Sequence, residues 1–272
     1  MLPDVQTRAP DIKISLTRVG VSGVKKLLII PRNGKRPLVL LADFSCFVDL
    51  PSSQKGIHMS RNLEAINELI EEIVKKPVYE LGSLCEDMVK EILKRHNYAS
   101  RCEVEMESRL MIPMKTPSGR REQEFVRLIT RSKAYKNKKP KIEREIGAEI
   151  RGLLLHPPVK GKPTLGCGER AKASLMIQVP EGHLIKIDDI IEILETALSS
   201  RAYGFLSEDE ERLVLDSACK SPKSTSDVAR GILTEAKKKF SDLTGMKVTA
   251  KCTAEESLFT YDSYAEKQAV IK

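Results

Sequence analysis

Cys102-Glu103-Val104-Glu105-Met106-Glu107 alternates apolar and acidic side chains without a break, the period of a strand with one buried face and one wet face. Toward the N-terminus, Leu84, Met88, Val89, Ile92 and Leu93 recur at helical spacing. So do Leu63, Ile66, Leu69, Ile70, Ile73 and Val74, beyond a break at Lys76-Pro77. Ahead of these two amphipathic helices stand two strand candidates, Asp11 to Pro31 and Pro37 to Asp49, joined by the turn signal Arg32-Asn33-Gly34-Lys35. Toward the C-terminus, Pro117-Ser118-Gly119 turns the chain into a further strand at Glu124 to Arg131. The first half therefore reads ββααββ.

The second half repeats that order. Strands are predicted near Ile142 to Leu155 and Ala171 to Val179, helices near Ile187 to Leu198 and Ser226 to Phe240, then strands at Met246 to Cys252 and after Asp262. Two consecutive units predict an α+β chain of tandem modules, 1–135 and 136–272, each an antiparallel sheet with its helix pair over one apolar face. Open sheet edges favour pairing with other copies, so a closed, barrel-like homo-oligomer is expected.

At 272 residues the chain has room for two cores. Its apolar stretches, such as Leu27 to Ile30 and Leu38 to Ala42, fall far short of the roughly 18 residues a membrane span needs. Met1-Leu2-Pro3-Asp4 has no basic flank or apolar run, so the expectation is a cytoplasmic protein with no membrane partner. The six cysteines form no CxxC pair, which predicts reduced, mostly buried thiols, and their spacing alone suggests no metal. A net charge of +8 permits an anionic partner such as a nucleotide or RNA. Aromatic content of 4% and the absence of tryptophan weigh against a stacking platform for single-stranded nucleic acid.

Val19-Gly20-Val21-Ser22-Gly23-Val24-Lys25-Lys26, followed by Phe47-Val48-Asp49-Leu50-Pro51-Ser52-Ser53-Gln54-Lys55-Gly56-Ile57-His58-Met59-Ser60-Arg61, resembles the signature of MptA-type and bacterial type IB GTP cyclohydrolases. Ala171 to Ile177, Pro180-Glu181-Gly182 and Glu256-Ser257 with Asp262 extend the resemblance over nearly the whole chain. It implies a bimodular tunnelling fold, oligomeric (a tetramer in similar type IB enzymes), with sites between subunits. It also implies opening of the GTP imidazole ring with release of formate, using ferrous iron or another divalent metal to activate water.

The positions that hold that metal are where this chain departs from the pattern. The family's Cys-Pro-Cys place reads His156-Pro157-Pro158, and its His-Asn-Gln-Arg place reads Cys167-Gly168-Glu169-Arg170. Its Ser-Ile-His-x-His becomes Ser257-Leu258-Phe259-Thr260-Tyr261, which removes both imidazoles. Arg201 stands near a further ligand carboxylate of bacterial relatives. His156 and Cys167 remain candidate metal ligands, with Glu169, Asp209 or Glu210 as possible completions, or else mark a vestigial pocket.

Other residues have a functional and a plain reading side by side. His58, Ser60 and Arg61 are candidates for substrate or phosphate contact at a helix start, or a helix cap and a loop contact. Asp216 falls where relatives anchor the guanine edge, or is an exposed helix carboxylate. Arg131, Lys133, Lys136, Lys138, Lys139, Lys141 and Arg144 make a basic hairpin that either tracks RNA phosphates or is a solvated connection. The leading expectation is a divergent homologue that keeps the fold and a purine- or pterin-sized intersubunit pocket and needs no metal, lacking the standard GTP ring opening. The alternatives are an active metal-dependent GTP cyclohydrolase or related purine hydrolase with a rebuilt site, and a non-enzymatic RNA- or protein-binding protein.

Overall fold

Strand β1 (Leu16–Arg32) and strand β2 (Lys35–Leu50) lead into helices α1 (Met59–Lys75) and α2 (Leu81–Arg95). Strands β3 (Arg101–Lys115), β4 (Arg121–Tyr135), β5 (Lys141–Leu155) and β6 (Gly168–Val179) follow. The chain ends through α3 (Ile187–Ala197), β7 (Ser200–Arg201), α4 (Glu208–Lys220), α5 (Thr225–Lys239), β8 (Lys247–Glu255) and β9 (Asp262–Val270). This computed structural model describes residues 6, 8–32, 35–75, 81–136, 141–155, 168–180 and 182–272. The strands are hydrogen-bonded in the order β1-β2-β3-β4-β5-β6-β8-β9, with β7 attached to β5. Asn33, Gly34 and the break at Lys76-Pro77 lie outside the described residues.

Two compact units divide the chain. The first comprises Met1–Ser108, Ile129–Glu145 and Pro180–His183. Its β1, β2 and β3 pair antiparallel, with Phe44 opposite Met106 and Cys46 opposite Val104. Leu28, Ile30, Leu40, Phe44, Cys46, Val104 and Met106 are buried on one face of these strands. Ile66 of α1 and Leu84, Met88 and Ile92 of α2 are buried with them, each large side chain contributing roughly 1.5–3 kcal/mol. The strict alternation that announced β3 is the alternation of its burial along residues 101–108. β1 begins at Leu16 rather than Asp11: Ile12 and Ile14, whose apolar character suggested an earlier start, are 72% and 67% exposed.

β1 is also irregular where the sequence signature is densest. Val21 pairs with Cys46 and Val24 with Phe44, so Ser22 and Gly23 together face Ser45, a β-bulge. Gly23 supplies the bulge's left-handed residue at φ +71°.

The second unit comprises Arg109–Leu128, Ile146–Val179 and Leu184–Lys272. Here β6, β8 and β9 pair antiparallel, and α3 and α5 pack on them through Ile190, Leu194, Val228 and Ile232 against Ala173, Leu175, Ala250 and Cys252. The predicted helix pair of this half is a trio, because α4 lies between the two expected helices. Its apolar periodicity is poor, with Val214 and Ala218 buried but Leu213 and Leu215 about half exposed. Its start is nevertheless written in the sequence as a capping box, Ser207 and Glu210 each satisfying the other's backbone N–H. β7 is too short to carry any periodicity.

Candidate functional site

In the first unit, the candidates His58, Ser60 and Arg61 gather where α1 begins. α1 starts at Met59, so Ser60 sits exposed inside the first turn rather than ahead of it as a cap. Arg61 Nη1 donates to the Arg95 carbonyl at 3.0 Å, satisfying one of the open carbonyls at the end of α2. Next to Arg95, His96 is fully buried. Its Nδ1 is 2.7 Å from Tyr98 Oη and its Nε2 2.8 Å from Asn62 Oδ1. The amide oxygen only accepts, so Nε2 donates to it, and in the neutral ring Nδ1 then accepts a hydrogen bond from the Tyr98 hydroxyl. Burial first, then the charges of Arg61 and His58, push His96 down to about 4.

That shift carries a sign. Below pH 6.5 the unfolded chain takes up a proton that folded His96 refuses until about pH 4. The ring's contribution is therefore complete above 6.5 and is lost as the pH falls toward 4, by at most about 3 kcal/mol. Urea unfolding across this window should show the loss, and His96→Asn should flatten the slope. Equal slopes in the two chains would remove His96 as the cause. Asp49, inside the same signature, is likewise occupied by structure, accepting from the backbone N–H of Ser100 and Arg101 at 2.8 Å each.

In the second unit, Asp216 is exposed on α4. Glu210 is fully engaged: hydrogen bonds from Ser118 first, then Thr116 and the Ser207 backbone, hold its carboxyl well below the usual range. Arg120 pairs with it at 3.1 Å, so Glu210 ties α4 to the 116–120 turn and is not a spare metal ligand. Arg201 pairs with Glu195.

A cavity of about 440 Å³ opens in this unit, lined by Arg151 and Gly152 of β5, Arg170 and Lys172 of β6, Tyr203, and Glu255 and Asp262 of β8 and β9. Glu255, the last residue of β8, pairs with Asp262, the first of β9, and the 256–261 turn springs from them. Ser257 Oγ in that turn donates to the Gly168 carbonyl at 2.9 Å. Beyond it, Phe259 and Tyr261 stack with ring centroids 5.1 Å apart and planes within 13°.

The family's metal does not fit the described part of this arrangement. Phe259 offers no donor atom, and Tyr261 offers a phenol in place of an imidazole. Among the described residues, no three His, Cys, Asp or Glu side chains come together as a metal cage. His156 and Cys167 lie outside the described residues. Four of the other cysteines, Cys46, Cys85, Cys102 and Cys252, are buried free thiols, and Cys219 is exposed.

The described cations of the basic hairpin already have partners inside the protein. Arg131 pairs with Glu105 at 2.6 Å, Lys133 with Glu103 at 3.8 Å and Lys141 with Glu143 at 2.6 Å. Lys136 donates to the Asn97 carbonyl at 3.2 Å, and Arg144 is buried. Lys138 and Lys139 lie outside the described residues. Among the described residues, no helix is long and apolar enough to cross a membrane.

Compared with known proteins, the chain matches the family described as Type I GTP cyclohydrolase folE2 over residues 2–265. It is 36% identical over 297 residues to the GTP cyclohydrolase MptA of Methanothermobacter thermautotrophicus, covering 99% of this chain and 93% of that protein. The GTP cyclohydrolase MptA of Methanocaldococcus jannaschii is 36% identical over 298 residues, with 98% and 95% covered. Among solved structures, the uricase from Arthrobacter globiformis superposes with a TM-score of 0.55 at 6% identity, covering 96% of each chain. The urate oxidase from Bacillus subtilis 168 gives 0.51 at 10% identity, covering 93% of this chain and 98% of that one. These two likenesses bear on the fold alone, and they bear out the α+β tunnelling-fold class.

Proposed function

The chain belongs to the type I GTP cyclohydrolase family, and from that premise we propose that it binds a purine or pterin ligand without performing the family's metal-dependent ring opening. One observation carries this reading: the stacked Phe259–Tyr261 pair stands where the family pattern has its two imidazoles. In that chemistry the metal supplies a water that loses its proton near neutral pH, and a set of side chains must hold the ion while leaving one position open. Substituting two nitrogen ligands with a phenyl ring and a phenol withdraws that support, while the strands and helices that build the fold are kept. The reading includes a closed homo-oligomer, a tetramer as in similar enzymes, and a cytoplasmic location. β1 and β9 end the strand order, so their outer backbone groups are open to a second copy.

The test is anaerobic purification with metal analysis, then incubation with GTP and ferrous or manganous ion. The expected result is sub-stoichiometric metal and no formate above the protein-free control. Stoichiometric metal with formate release that disappears in His156→Ala would overturn the reading in favour of a working enzyme with a rebuilt site.

A further inference from the structure

We propose that the outer face of the β1–β2 hairpin is an interface between two copies of this chain, packed face to face across a two-fold axis that runs along the hairpin. The proposal goes beyond the purine- or pterin-binding reading and does not depend on it. It concerns a sheet face, not the open edges of β1 and β9.

Both faces of this hairpin are apolar. On the inner face, Leu28, Ile30 and Leu40 are no more than 3% exposed. On the outer face, Leu27 stands directly opposite Leu41 and Ile29 opposite Val39. These four are 56%, 63%, 38% and 57% exposed in that order. Near-continuous apolar runs such as Leu27 to Ile30 and Leu38 to Ala42 belong to strands covered on both sides, and among the described residues only one side is covered. The outer face farther from the hairpin turn is different in kind. There Ser45 and Phe47 stand opposite Glu105 and Glu103 of β3, which pair with Arg131 at 2.6 Å and with Arg18 at 3.5 Å. A contiguous apolar patch next to such a charged surface marks the place where another molecule sits.

The flanking charges identify that molecule as a second copy. One pair along the same face from Leu27 and Leu41, Lys25 of β1 stands opposite Asp43 of β2. A two-fold axis parallel to the strands and midway between them lays β1 of one copy over β2 of the other. Leu27 then meets the partner's Leu41, Ile29 the partner's Val39 and Lys25 the partner's Asp43. Every apolar group is covered and each of these charges faces its opposite, so the patch is complementary to itself. Sheets packed in this way lie about 10 Å apart with interdigitated side chains, as in a sandwich core. A tetramer of dihedral symmetry needs more than one kind of contact, and a face contact adds one that strand-edge pairing does not provide.

Sedimentation velocity of the full-length chain over a micromolar concentration series tests the proposal. Wild type is expected to sediment as an assembly, and Leu27→Gln with Leu41→Gln to halve its mass while circular dichroism stays unchanged. Lys25→Glu and Asp43→Lys should each weaken self-association about tenfold or more, because each sets like charges against the partner. An equimolar mixture of these two variants should recover the wild-type mass, since each copy then meets the opposite charge on the other. Within a single chain both variants place like charges across the hairpin, so recovery on mixing comes from a contact between copies and not from strand pairing. A wild-type monomer overturns a second copy as the occupant. Wild-type mass in the apolar double variant, or in both charge variants, overturns the interface, and no recovery on mixing overturns its two-fold arrangement. Formate release from GTP is read separately, so failure of the proposed function and failure of this interface are distinguishable.

Discussion

Replacing Arg144 by alanine is expected to lower the free energy of unfolding by about 3–5 kcal/mol, seen as a lower urea midpoint at unchanged slope. Arg144 stands in the basic run that suggested an RNA contact, yet only 7% of it is exposed. Its Nη2 donates to the carbonyls of Pro180 at 3.0 Å and His183 at 2.6 Å, and its Nη1 lies 3.5 Å from Glu86 on α2. Alanine withdraws both donors and leaves the nearly buried Glu86 with, among the described residues, only the half-exposed Lys90 as its cation, at 2.6 Å. Lysine keeps the charge but not the planar fork that reaches two carbonyls and a carboxylate at once, so Arg144→Lys should recover only part of the loss. Lys141→Gln, in the same run, removes an exposed pair with Glu143 and should leave the urea midpoint nearly unchanged. A loss below about 1 kcal/mol for Arg144→Ala would mean that the buried network is not a fold determinant.

That contrast shows what a charge run does not disclose. In sequence, Arg131, Lys133, Lys141 and Arg144 are one basic patch. In the fold, Arg131 and Lys133 meet Glu105 and Glu103 across a strand pair, and Arg144 turns inward to Glu86. Their partners are tens of residues away, so no local pattern reveals the neutralisation. The same limit applies to His96, whose Asn62 contact spans 34 residues. It applies again to Arg151 of β5, which only the strand order brings beside Arg170 and Lys172 of β6.

What was legible follows from physics that acts over a few residues. Strand period two and helix period 3.6 are imposed by burial of one face, and they placed α1, α2, α3, α5 and most of the long strands to within a few residues, although β1 starts five residues later than expected and β3 runs on to Lys115, well past the alternation that marked it. α4 escaped because two of its leucines face out, and only its capping box spoke for it. The loss of the family's ligand residues was also legible, since it concerns residue identity and needs no geometry. What replaced them was not: that Phe259 and Tyr261 stack, and that their turn is bound to Gly168, are facts of the folded chain.

The stretch Val19-Gly20-Val21-Ser22-Gly23, where the family signature is densest, is expected to respond to substitution as a packing device. A Cβ built on Gly20 would come 1.8 Å from the carbonyl oxygen of Cys46 and 2.8 Å from the Phe47 Cα, both backbone atoms of the paired strand. No rotamer change relieves a clash with backbone, so β1 and β2 must separate over the core that holds Phe44 and Cys46. Gly20→Ala should therefore cost about 3 kcal/mol or more. A Cβ on Gly23 meets nothing within 4 Å, but its φ of +71° is unfavourable for alanine, so Gly23→Ala should cost only about 1–2 kcal/mol. Chemical unfolding of the two variants gives the ratio directly, and comparable losses would break the assignment of Gly20 to close strand approach. If the order holds, these glycines serve strand pairing and the bulge. Their retention then says that the hairpin is intact, and it leaves the question of chemistry to the second unit, where the ligand positions have changed.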